Sequence, residues 1–90
     1  MYNGIMKAKI ISTLGILGGK PIIAGTRVSV ELVLDLLAND WSATKILQEY
    51  PHLTKDAVQA AIVYAANRVS GEKILPIRNT DGTLEFPLSL

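Results

Sequence analysis

Cysteine is absent from this chain. Its absence excludes a disulfide framework and thiolate metal sites, and the single histidine, His52, cannot build a histidine cluster. No bound metal or cofactor is expected. No apolar run reaches the roughly 20 residues that a membrane helix needs. Ile10 to Leu17 is interrupted by Ser12, Thr13 and Gly15, with no small-residue cleavage site after it, so it does not read as a signal-peptide core. A cytoplasmic protein without a membrane partner is expected. Neither sign of charge dominates: nine Lys and Arg stand against eight Asp and Glu, a formal net charge of +1. No global field would therefore draw the protein onto nucleic acid, and any DNA contact must come from local placement.

The 90 residues, 49% of them hydrophobic, suffice for one domain. A chain this short gains marginal stability alone, and oligomerisation is an expected supplement. No repeat, low-complexity tract or linker divides it. Three stretches are distinguished: N-terminal strands and turn over 1–28, a helical core over 29–70, and a tail over 71–90. Lys7 to Ser12 suits a strand, the glycines between Leu14 and Gly19 break it, and Pro21 to Ala24 returns as a second strand.

Three helices follow, each preceded by a hydroxyl residue able to accept a bond from an unpaired amide of the first turn. Ser29 precedes Val30 to about Asn39, Ser42 precedes a helix through Tyr50 that Pro51 ends, and Thr54 precedes Lys55 to about Val69, closed by Gly71. On the first helix Glu31, Asp35 and Asn39 form one narrow polar stripe, and so wide an apolar arc needs two neighbours. A homodimer is expected, with Leu32, Leu36 and Trp41 at its interface. The second helix should turn Ala43, Ile46, Leu47 and Tyr50 inward. The third should bury Val58, Ala61, Ile62, Ala65 and Val69, leaving Asp56, Gln59, Ala60, Val63 and Asn67 outward. In the tail, Ile74 to Ile77 and Thr83 to Phe86 flank an Asp81-Gly82 turn signal, so a loose hairpin fits. Pro76 and Pro87 argue against a central sheet position, and the tail either folds back or meets a partner.

Catalysis finds little support. His52 lies in a predicted turn with no nucleophile partner, and Glu31 with Asp35 reads as a solvated face. Gly18-Gly19-Lys20 is not a phosphate loop: Leu14 stands where the first glycine is required, and Pro21 where a metal-binding hydroxyl should follow. A non-enzymatic protein without a small-molecule substrate is expected. Arg27, just before the first helix, either pairs with a carboxylate such as Glu31 or reaches a phosphate. Trp41 reads as a core or interface anchor. If the second and third helices read DNA, Thr54, Lys55, Asp56 and Gln59 lie at the groove, with Lys45 and either Lys20 or Arg27 on phosphates.

Residues from about Leu17 to Ala66 resemble the prokaryotic domain-of-unknown-function family 433. The resemblance lies in Gly-Lys-Pro-Ile-Ile-Ala-Gly-Thr-Arg-Val-Ser-Val at 19 to 30, Tyr-Pro-His-Leu-Thr at 50 to 54 and Ala-Ala-Ile-Val-Tyr-Ala-Ala at 60 to 66. A departure lies at Ser12-Thr13-Leu14-Gly15, where an acidic residue and a proline are expected. The resemblance implies an antitoxin with a homeodomain-like helix-turn-helix, dimeric and encoded beside a PIN-type nuclease toxin. The expected fold is mainly α: a three-helix helix-turn-helix domain with a short N-terminal β-hairpin and a C-terminal extended tail or hairpin. The expected function is the antitoxin of a type II toxin-antitoxin system, which binds operator DNA and neutralises a PIN-like toxin. In that reading Ile77, Leu84, Phe86 and Leu88 of the tail engage the toxin. The alternative is a protein-binding module without DNA-binding activity.

Overall fold

A computed structural model describes residues 8–71 and 75–88. Strand β1 (Ile10–Ser12) and strand β2 (Ile22–Ile23) flank a turn in which Leu17, Gly18 and Gly19 all take positive φ. The Ser12 hydroxyl donates to the Gly19 carbonyl at 2.5 Å and closes that turn. Helix α1 spans Val30–Ala38, α2 Ala43–Glu49 and α3 Lys55–Val69; β3 (Ile77–Arg78) and β4 (Leu84–Phe86) follow. All three anticipated caps are in place: Ser29, Ser42 and Thr54 accept from the amides of Leu32, Lys45 and Ala57. Each satisfies a donor that the helix cannot pair internally.

The two ends of the chain meet. A four-stranded antiparallel sheet runs in the order β2-β1-β4-β3, with Ile10 opposite Ile23 on one side and Phe86 on the other. The domain is thus a mixed α/β structure, not the mainly α one that the sequence pattern suggested. The prolines mislead because Pro87 lies just beyond β4 and Pro76 just before β3, so neither removes a ladder donor. The tail folds back: Phe86 and Leu88 pack on the core, and the Phe86 ring meets Tyr64 edge-on at 5.4 Å. Ile74 and Leu90, with Lys7 of the first anticipated strand, lie outside the described residues.

Ile10, Val33, Ile46, Ala60 and Ala61 are fully buried at the centre of the core. Helix α3 contacts α1, α2 and β1, so its buried arc is wide. Ala60, Val63 and Asn67, expected outside, are inside, whereas Ile62 is 39% and Val69 87% exposed. Alanines on both flanks left the rotation of this helix undetermined, and packing on the sheet decides it. The exposed residues Lys55, Gln59, Ile62, Ala66 and Val69 fall within roughly 80° of one another at 100° per residue.

Helix α1 ends in a tight backbone motif. The Asp40 amide donates to the Leu37 carbonyl at 3.1 Å and the Trp41 amide to that of Leu36 at 3.0 Å, with Asp40 at φ 69°. That turn sets Trp41, half-buried, against the core together with Leu36.

Candidate nucleic-acid interface

Helices α2 and α3 are joined through Tyr50 to Thr54. Pro51 stops α2, the Leu53 amide donates to the Tyr50 carbonyl at 2.9 Å, and Leu53, 6% exposed, pins the connection to the core. Thr54 then caps α3, so its hydroxyl oxygen is already accepting from Ala57 at 3.1 Å while the residue stays exposed. Lys55 and Gln59 open the exposed stripe. Asp56 is drawn aside: its carboxylate accepts from the Ala8 amide at 2.6 Å. Tethering that carboxylate to the N-terminal segment leaves Lys55 as the charged member of the stripe.

A second segment converges on this end of α3. A hollow of about 210 Å³ is lined by Thr26 of the turn after β2 together with His52 and Thr54. Thr26 shapes that turn by donating to the Ile23 carbonyl at 2.8 Å and accepting from Val28 at 3.0 Å. Arg27, exposed, is the next residue. Its expected pairing with Glu31 is not formed, because Lys20 takes Glu31 at 2.8 Å. His52 reads in the sequence as a turn residue; its place on the same hollow as Thr26 depends on the packing of distant segments, for which spacing gives no signal.

Lys45 stands apart from that cluster, with its ammonium 4.3 Å from the centre of the Trp41 ring. Trp41, expected as a core or interface anchor, thus also carries a cation on its face. The partner lies four positions on, and the helix turn brings it over the ring. Of the residues assigned to a dimer interface, Leu32, Leu36 and Trp41 are all half-buried. Of those assigned to a toxin, Leu84, Phe86 and Leu88 are half-buried within the sheet layer, and Ile77 on the edge strand β3 is 52% exposed. Among the described residues no three His, Asp or Glu side chains gather as a metal site, and no helix is long and apolar enough to cross a membrane.

A second surface feature lies on another side of α3. An open groove of about 470 Å³ runs between α1 and α3, with Pro21, Val30, Leu34 and Tyr64 contributing apolar surface. Lys20, Glu31, Asp35 and Arg68 add charge of both signs. The Lys20 ammonium beside Glu31 holds that carboxyl below its ordinary value, and Glu31 in turn raises Lys20.

These features define a small α/β domain with a capped helix pair and an exposed stripe on its longest helix. The chain belongs to the family described as "Protein of unknown function (DUF433)", which matches residues 10–65, more than half of it. It is also similar to the uncharacterized protein y4eO of Sinorhizobium fredii, with 35% identity over 65 residues. That match covers 71% of this chain and 29% of the relative, so the chain corresponds to less than a third of y4eO. No solved structure matches.

Proposed function

We propose that the chain is a non-enzymatic antitoxin that binds operator DNA as a homodimer through α2 and α3 and neutralises a PIN-like nuclease toxin in the cytoplasm. The observation carrying the DNA part is the exposed stripe of α3, which begins at a capped N-terminus and presents Lys55, Gln59 and Ile62 in successive turns. Helix-turn-helix proteins place the start of the second helix of the pair in the major groove. There Gln59 can hydrogen-bond a base edge, Ile62 can meet a thymine methyl group, and Lys55 and Arg27 can hold phosphates. The toxin part rests on the family resemblance. Ile77, exposed on the edge strand β3, is the tail residue that best supports it.

The test is binding of the full chain to the DNA upstream of its own reading frame across a salt series. Lys55→Glu should weaken binding at least about tenfold and flatten the salt dependence, since each phosphate contact releases condensed counterions. Gln59→Ala should instead narrow the gap between operator and random DNA. Unchanged affinity and slope in Lys55→Glu would remove this docking. A protein-binding module without DNA activity is favoured by one feature, the balanced net charge of +1, and predicts no operator complex at any salt concentration.

A further inference from the structure

The groove between α1 and α3 is unused by the DNA reading, and its residues differ in kind from the stripe. Its floor is apolar, with Leu34 half-buried beside the exposed carboxylates of Asp35, the next residue, and Glu31, one turn earlier. Glu31 is already held by Lys20 within the chain, at 2.8 Å. Asp35 and Arg68 line the same groove, yet among the described residues neither forms a salt bridge. The Arg68 guanidinium lies 5.9 Å from the centre of the Tyr64 ring, held over apolar surface with its donors open to a partner.

The charge pattern restricts the occupant. Two carboxylates oppose an anionic partner such as nucleic acid, and two cations oppose a basic one. A small molecule is a poor fit because an open groove does not enclose most of a ligand's surface. A surface with one carboxylate and one guanidinium that form no salt bridge of their own, beside an apolar ridge, is complementary to itself. Under a two-fold axis each Asp35 can meet the other chain's Arg68, and the pair forms twice.

We infer that this groove is the homodimer surface, with Leu34 of each chain seated on the floor of the other and Asp35 paired to Arg68 across the axis. The inference deepens the dimer of the proposed function by naming its surface, on the opposite flank of α1 from Leu32 and Leu36. It stands or falls separately from DNA binding.

The experiment is sedimentation of the full chain over a micromolar concentration range, with circular-dichroism melting to verify that each variant is folded. Asp35→Arg and Arg68→Asp should each raise the dimer dissociation constant at least about tenfold, and combining them should restore it to within about threefold of the parent. Leu34→Lys should abolish association, at some cost to the melting temperature because Leu34 also packs on the core, so the charge-swap pair decides the assignment. A parent chain that is monomeric throughout, a double variant no tighter than either single one, or dissociation by Leu36→Lys but not by these changes would each overturn the inference. Absence of operator binding by the parent chain, with the charge swap behaving as expected, would leave the dimer surface standing and remove the DNA reading.

Discussion

Helices α1 and α3 use their apolar residues in opposite ways. Every residue of α1 except Glu31 and Asp35 is apolar, yet Val30 and Val33 are its buried members. Helix α3 is more polar in sequence and buries Ala57, Val58, Ala60, Ala61, Val63 and Asn67. The difference is position. Helix α3 lies between α1, α2 and the sheet, and its alanines let those neighbours approach closely, whereas α1 has its own chain on one side and water on the other. Burial is therefore set by the number of neighbours and not by hydrophobic content. The leucines that α1 leaves half-exposed are surface available to a partner.

The strongest way to break this contrast is to charge α3 at adjacent positions. Val63 is 1% exposed and Ile62 39%. Val63→Asp should cost on the order of 4 kcal/mol or more, since a carboxylate enters a site without a partner, while Ile62→Asp should stay within about 1 kcal/mol. Urea denaturation measures both. Equal losses would mean that α3 is rotated from the orientation described, and the DNA stripe would move with it.

The same pair of residues shows where the sequence was legible. Caps were readable because Ser29, Ser42 and Thr54 act on amides three positions away, and the helix boundaries followed from them to within a residue. The rotation of α3 was not, because Ala60, Ala61, Ala65 and Ala66 give no apolar contrast between its flanks. Pairing of β1 with β4 joins residues more than seventy positions apart, as Ile10 with Phe86 does, and no local pattern encodes it. The groove was hidden for a similar reason: Lys20, Asp35 and Arg68 come from three segments, and only packing assembles them. The stripe candidates Lys55 and Gln59 were legible as residues next to a cap, while the hollow that brings Thr26 to Thr54 depends on the fold.

A smaller effect separates the two helices at their ends. Helix α1 closes on Asp40 at φ 69°, and α3 is followed by Gly71 at φ 77°. Only glycine takes that conformation without steric penalty. Asp40→Gly should thus stabilise the domain by about 0.5 kcal/mol, and Gly71→Ala should destabilise it by about 1 kcal/mol. A methyl group at Gly71 meets no atom within 4 Å, so the loss there isolates the backbone term. Thermal melting of both variants checks the signs. A loss of stability in Asp40→Gly would show that the carboxylate contributes more than the strained backbone costs.

The smallest expected effect lies on the polar side of α1. Lys20 holds the Glu31 carboxyl below its ordinary 4.5 through a hydrogen bond first and charge second, while Glu31 raises Lys20 above 10.5 in the same order. A carboxyl lowered on folding contributes stability that is complete above the unfolded value and disappears as pH falls through the folded one. The raised lysine contributes fully below its unfolded value and loses that contribution as pH rises through the folded one. Both groups are solvated, so screening keeps the effect on melting small. It is better read at the carboxyl itself: an NMR titration should place Glu31 below 4.5 in the parent and return it toward 4.5 in Lys20→Ala or in high salt. An unchanged midpoint in Lys20→Ala would mean that the pair does not persist in solution. Lys20 and Glu31 would then be available to bind across the two-fold axis, and the dimer surface would gain a second set of charges.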